Sequence, residues 1–99
     1  MALSGVTGFQ QVSAAELAAA FPLAVPAGTE RAWIQAEGAN VRWRADGTSP
    51  TAAIGNIIFS GAHQPLELSI AAGLRTAKFI LETGSPKLNI HYFGTVPNS

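Results

Sequence analysis

A chain of 99 residues is long enough for one domain with a single core and too short for two. Its six basic and six acidic residues cancel, with no run of either sign, which excludes the electrostatic footprint that nucleic acid or an acidic membrane surface requires. The absence of cysteine excludes a disulfide framework and a thiolate zinc site, so packing alone has to hold the fold.

The opening residues, Met1-Ala2-Leu3-Ser4-Gly5, lack the basic-then-apolar layout of an export signal. Nowhere does an uncharged apolar run reach about 18 residues. The expectation is a soluble protein without a cleaved leader. Residues 1–8 are small and Gly-rich and offer little to bury, so residues 1–12 are read as an N-terminal arm, free or ordered by a partner, ending in a short first strand at Phe9 to Val12. Residues 13–99 are read as a single β-sandwich domain. Ser13-Ala14-Ala15-Glu16 has the spacing of a capping box, in which the serine oxygen takes an orphan amide and the glutamate reaches back. It predicts a short N-terminal helix through Leu17 to Ala20, ended by Pro22; strand and loop is the competing reading.

Leu23-Ala24-Val25 predicts a short strand closed by the turn Pro26-Ala27-Gly28. The stretch Trp33 to Thr51 then organises the chain. Gly38-Ala39-Asn40 separates two extended runs, and Gly38 and Asn40 tolerate the positive backbone angles of a tight reversal, which predicts an antiparallel hairpin. In the first run, alternation sends Ala32, Ile34 and Ala36 to the core and Trp33, Gln35 and Glu37 outward. In the second, it buries Val41 and Trp43 and turns Arg42 and Arg44 outward.

After the Asp46–Pro50 loop, Ala53 to Phe59 predicts a strand with a bulge or bend at Gly55-Asn56. Leu66 to Ile70 alternates with Leu66, Leu68 and Ile70 inward. Thr76 to Glu82 carries Ala77, Phe79 and Leu81 on one face, with Lys78 and Ile80 on the other. Lys87 to Phe93 places Leu88, Ile90 and Tyr92 inward and Asn89, His91 and Phe93 outward. Six to eight short strands at turn spacings of about 8 to 12 residues predict an all-β fold, an antiparallel β-sandwich of jelly-roll-like kind.

No constellation in the chain carries chemistry. His63 and His91 lack cysteine or carboxylate neighbours at metal-ligand spacing, and read as a turn histidine and an outward strand histidine. Asp46-Gly47-Thr48 opens like a calcium loop, but the further oxygen ligands and closing glutamate are missing. No serine sits in a Gly-x-Ser-x-Gly elbow, and Glu37 and Glu67 read as solvated strand carboxylates. The expectation is a protein that is not an enzyme, with no catalytic residue, cofactor or metal.

The residues that point to function lie on the outer faces. Hydrophobic residues make up 47 % of the chain and charged ones 12 %, against about 25 % charged in ordinary globular chains, so some apolar surface is expected to meet another chain. Alternation pushes Trp33, Ile80 and Phe93 outward, as interface residues or as groups covered by a second layer or the N-terminal segment. Arg42 and Arg44 read as an anion- or sugar-binding stripe, as charges at a subunit contact, or as solvated charges that discourage sheet aggregation.

The run Ala36 to Thr51, and within it Val41-Arg42-Trp43-Arg44-Ala45-Asp46-Gly47-Thr48-Ser49-Pro50-Thr51, together with Gly55, Lys78-Phe79-Ile80 and Leu88-Asn89-Ile90-His91-Tyr92-Phe93-Gly94, resembles a group of small tailed-phage virion proteins. The resemblance spans about residues 22–94 and rests most on the Val-Arg-Trp-Arg segment with its Asp-Gly-Thr and Pro-Thr. It implies a non-enzymatic virion protein present in many copies, assembled in the host cytoplasm, with no catalytic residues. A capsid decoration (cement) protein is the favoured form, since a sandwich without a fibre repeat suits a knob on a shell. Its partners would be the major capsid protein or other virion proteins and further copies of itself, with no nucleic acid and no membrane. A carbohydrate-recognising sandwich on a tail or baseplate, with Trp33 or Trp43 stacking beside Arg42 and Arg44, is the alternative.

Overall fold

Period-two alternation decides which side chains meet in the middle. In the computed structural model, which describes residues 2–62 and 64–97, the chain forms eight strands. They are β1 (Ala2–Val12), β2 (Phe21–Pro22), β3 (Thr29–Glu37), β4 (Val41–Arg44), β5 (Asn56–Ile58), β6 (Leu66–Ser69), β7 (Lys78–Leu81) and β8 (Lys87–Pro97). Two four-stranded antiparallel sheets result, a front sheet in the order β1-β8-β3-β6 and a back sheet in the order β2-β7-β4-β5. The nested pairs β1·β8, β2·β7, β3·β6 and β4·β5 are those of a long hairpin rolled up on itself, which is the jelly-roll arrangement of a β-sandwich.

Between the sheets the core is built by the residues that alternation assigned to it. Ala32, Ile34, Leu68, Leu88, Ile90 and Tyr92 of the front sheet face Val41, Ile58 and Phe79 of the back sheet, all but fully buried. Leu17, Leu74 and Ala77 close the core from the connections. Trp43 is half-buried, its ring stacked on Phe79 with centroids 6.4 Å apart. The Tyr92 hydroxyl escapes an unpaired burial by donating to Gln10 Oε1 at 2.8 Å, and burial pushes its pKa up to about 12.

The hairpin expected across Gly38-Ala39-Asn40 does not form. The strands β3 and β4 lie in different sheets, and the connection arches from front to back. A type I′ hairpin turn needs positive φ at both central residues, and here only Gly38 adopts it, at φ 87°. Asn40 instead ties the arch down on both sides: its carbonyl accepts from Glu82 N at 3.2 Å and its Oδ1 from Ser60 N at 3.0 Å. Crossing over lets Ile34 and Val41 face one another across a single core, where a hairpin would have set both on one sheet.

Three other expectations are corrected. The segment expected as an arm is strand: β1 runs from Ala2 to Val12 and pairs with β8 from Ala2↔Pro97 to Val12↔Leu88, around a bulge at Thr7. Backbone pairing along the full length of β8 supplies the stabilisation that small side chains do not. The expected strand at Leu23–Val25 sits earlier, at Phe21–Pro22, because Phe21 pairs with Phe79 and packs against the core. The strand expected from Ala53 starts only at Asn56, since the Thr51 hydroxyl captures the amides of Ala53 and Ile54 in a turn and Gly55, at φ 138°, bends the chain into the strand.

The capping box at Ser13 forms as read. Ser13 Oγ accepts from the Glu16 amide while the Glu16 carboxylate accepts from the Ser13 amide at 3.1 Å, yet the helix amounts to one 3-10 turn, Glu16–Ala18, which buries Leu17. At the far end of β3, β8 passes so close that a side chain at Gly94 would collide with the Gly28 carbonyl oxygen.

Candidate functional site

Because β1, β8 and β3 are adjacent, their outward residues line up in rows across the front sheet. One row runs Val6–Phe93–Arg31 and the next Phe9–His91–Trp33–Glu67. A third, Gln11–Asn89–Gln35, is polar; within it Gln11 Nε2 donates to Asn89 Oδ1 at 2.9 Å, and Asn89 Nδ2 donates out of the row to Glu37 Oε1 at 3.1 Å.

The aromatic rows interlock. Trp33 and Phe93 lie 4.7 Å apart between ring centroids at 54°, Phe9 and His91 4.6 Å apart, and His91 and Phe93 6.4 Å. The Arg31 guanidinium sits 4.7 Å from the Phe93 ring centroid and donates to Glu67, which also accepts from the Trp33 indole at 3.1 Å. The indole is thus held at its edge and packed on one side. Even so, Val6, Phe9 and Trp33 keep 55, 56 and 43 % of their surface exposed. Beside Trp33 lies an open groove of about 390 Å³ lined by Trp33, Gln35, Pro65, Asn89, His91 and Phe93.

The back sheet's outer face is different in kind. Ile80 and Arg42 are register partners there, and both are half-buried. Arg42 Nε donates to Glu82 at 2.8 Å and its Nη1 to the Gly55 carbonyl at 3.1 Å. Arg44 pairs with Asp46 through two nitrogens, and this contact holds the Asp46 carboxyl below the usual carboxylate range, while Asp46 also accepts from the Thr48 amide. Both arginines are spent on acids of their own chain and form no open anion stripe. The Asp46–Pro50 segment is accordingly a turn built on Asp46.

Of the five interface candidates, Trp33 and Phe93 therefore share one face, and Arg42, Arg44 and Ile80 share the opposite one. Val6 and Phe9 belong to the first group and were missed with the arm. Parity along Phe9 to Val12 would have found Phe9; for Val6 the bulge at Thr7 shifts the alternation and hides the signal. His91 is outward as read, and His63 lies outside the described residues. No group of three or more His, Cys, Asp or Glu residues placed to hold a metal ion occurs among the described residues. Compared with known proteins, the chain matches no family model, and no curated protein and no solved structure is significantly similar to it.

Proposed function

We propose that the protein is a non-enzymatic structural component of a tailed-phage virion, a decoration (cement) protein seated in many copies on the head shell. The observation that carries this reading is the front face, where Val6, Phe9 and Trp33 stand exposed on one continuous surface around Phe93. Large exposed apolar groups of this kind, with tryptophan and arginine side by side, have the composition of interface hot spots. Against the major capsid protein or another virion protein, that face would bury Val6, Phe9 and Trp33; the other exposed large hydrophobics, Ile54 and Phe59, flank β5. The jelly-roll arrangement recurs in capsid and lectin domains, which adds support by analogy alone.

The test is co-sedimentation of the purified protein with virion shells. Trp33→Ala is expected to weaken binding about 30-fold, a hot-spot effect of about 2 kcal/mol, while leaving the melting temperature of the free domain nearly unchanged. Parallel losses of binding and thermal stability would sink the reading. An image of particles labelled on this chain separates shell from tail.

The groove beside Trp33 favours a second reading, a carbohydrate-recognising module on a tail or baseplate. Its wall is aromatic and its rim carries the planar amides of Gln35 and Asn89, groups suited to a sugar's apolar face and hydroxyls. A glycan array without hits removes it.

A further inference from the structure

Sheet edges are where a β-sandwich exposes unpaired backbone, and three of the four edges here are short. The strand β2 has two residues and ends on Pro22, β5 has three, and β6 has four with Glu67 among them. Shortness, proline and charge are the ordinary means of blunting an edge. The fourth edge, β1, has eleven residues, Ala2–Val12, and carries neither a charged side chain nor a proline. Only β8 runs along it; its other side meets no strand among the described residues. Every second residue of β1 therefore turns its N–H and C=O to solvent.

We infer that β1 pairs antiparallel with β1 of a second copy, about a two-fold axis normal to the sheet, to give one continuous eight-stranded front sheet. The structure supplies the reasons for a second copy as occupant. A strand partner for this edge must itself be long, uncharged and free of proline, and this chain carries such a strand on its own open edge. With zero formal net charge, two copies meet without long-range repulsion. An axis normal to the sheet keeps outward residues outward, so Val6 and Phe9 of both copies fall side by side and the two aromatic faces merge across the seam. Beneath the seam, Pro22 on β2 stops the back sheets from pairing in the same way.

Eleven residues at a rise of about 3.3 Å make an edge about 36 Å long, and a sheet about 10 Å thick then buries about 720 Å² over both copies. A standard stable interface starts near 1,200 Å². The pair is thus a weak one in free solution and tightens wherever copies are held side by side. This inference rests on the strand order and stands apart from the shell reading.

Sedimentation equilibrium of the full chain from about 10 μM to about 1 mM tests it. The expected result is reversible dimerisation, with alternate β1 amides gaining protection from hydrogen exchange as the dimer fills. Val6 and Gln11 are exposed, so a Val6→Lys/Gln11→Lys chain keeps the fold; it is expected to dimerise at least ten-fold more weakly, and mixing it with a Val6→Glu/Gln11→Glu chain to restore pairing. A wild-type chain still single at about 1 mM overturns the inference. So does a dimer indifferent to the charged pairs but abolished by Trp33→Ala, an outcome that moves self-association to the face and leaves the shell reading standing.

Discussion

The two outer faces are made by the same rule and end up with opposite character. On the back sheet, Arg42 is tied to Glu82 and the Gly55 carbonyl, Arg44 to Asp46, and Ile80 is half-buried among them. On the front sheet, Trp33, Phe9 and Val6 stay exposed, although Trp33 and Phe9 are packed against neighbouring rings. The arginines of one face are satisfied by their own chain, and the aromatic groups of the other are organised but uncovered. The difference lies in what reaches the outward residues: at the back, off-register acids and a backbone carbonyl bind the arginines, and at the front the register itself sets Phe93 against Val6 and His91 against Phe9 and Trp33.

Removing the core that both faces share should have the largest effect. Phe79→Ala takes a fully buried ring from beneath Trp43 and Phe21, and a loss of about 3–5 kcal/mol in chemical denaturation is expected, with fluorescence from front and back collapsing together. Separate transitions for the two sheets would break the picture of one cooperative sandwich. Arg42→Ala should cost about 1–2 kcal/mol, since it strands Glu82 in a partly buried position, and should leave shell binding and self-association as they were. Association lost together with that stability would mean the back face is an interface after all.

Alkaline titration probes Tyr92, which faces the core. Its folded pKa, about 12, lies above the ordinary value of 10, so the neutral hydroxyl favours the native state; that contribution is complete below pH 10 and is lost as pH rises towards 12. Denaturation midpoints should fall across that window, and Tyr92→Phe should flatten the fall. The smallest effect belongs to Arg44→Ala. Its partner Asp46 is exposed, and the depressed carboxyl pKa means that whatever the pair adds is present near neutral pH and fades as pH drops through the lowered value. Melting curves at pH 7 should barely differ from wild type.

Much of this was legible in the chain. Alternation placed Ala32, Ile34, Leu88, Ile90 and Tyr92 inside and Trp33, His91 and Phe93 outside, and β4 was readable to the residue, because side-chain parity follows directly from strand geometry. What escaped were the pairings. The link at Gly38-Ala39-Asn40 has the composition of a hairpin turn, and whether it closes a hairpin or arches to the other sheet depends on Glu82 and Ser60, which are distant in sequence. The strand β1 escaped for the same reason: Gly5 and Gly8 look like arm residues until β8 is laid beside them. The ion pairs of Arg42 and Arg44 sit between these cases, since Asp46 is a sequence neighbour of Arg44 and Glu82 is forty residues from Arg42.

The nested strand pairs also dictate the order in which the molecule can be made. Val12 waits for Leu88, and Ala2 for Pro97, so β1 finds its partner only once β8, the last strand of this stretch, has been made. Pairings of such long reach fold on the slow side, in milliseconds to seconds. Throughout that interval an uncharged strand is loose among its nascent neighbours, and yield in cells should rise when chaperones are plentiful.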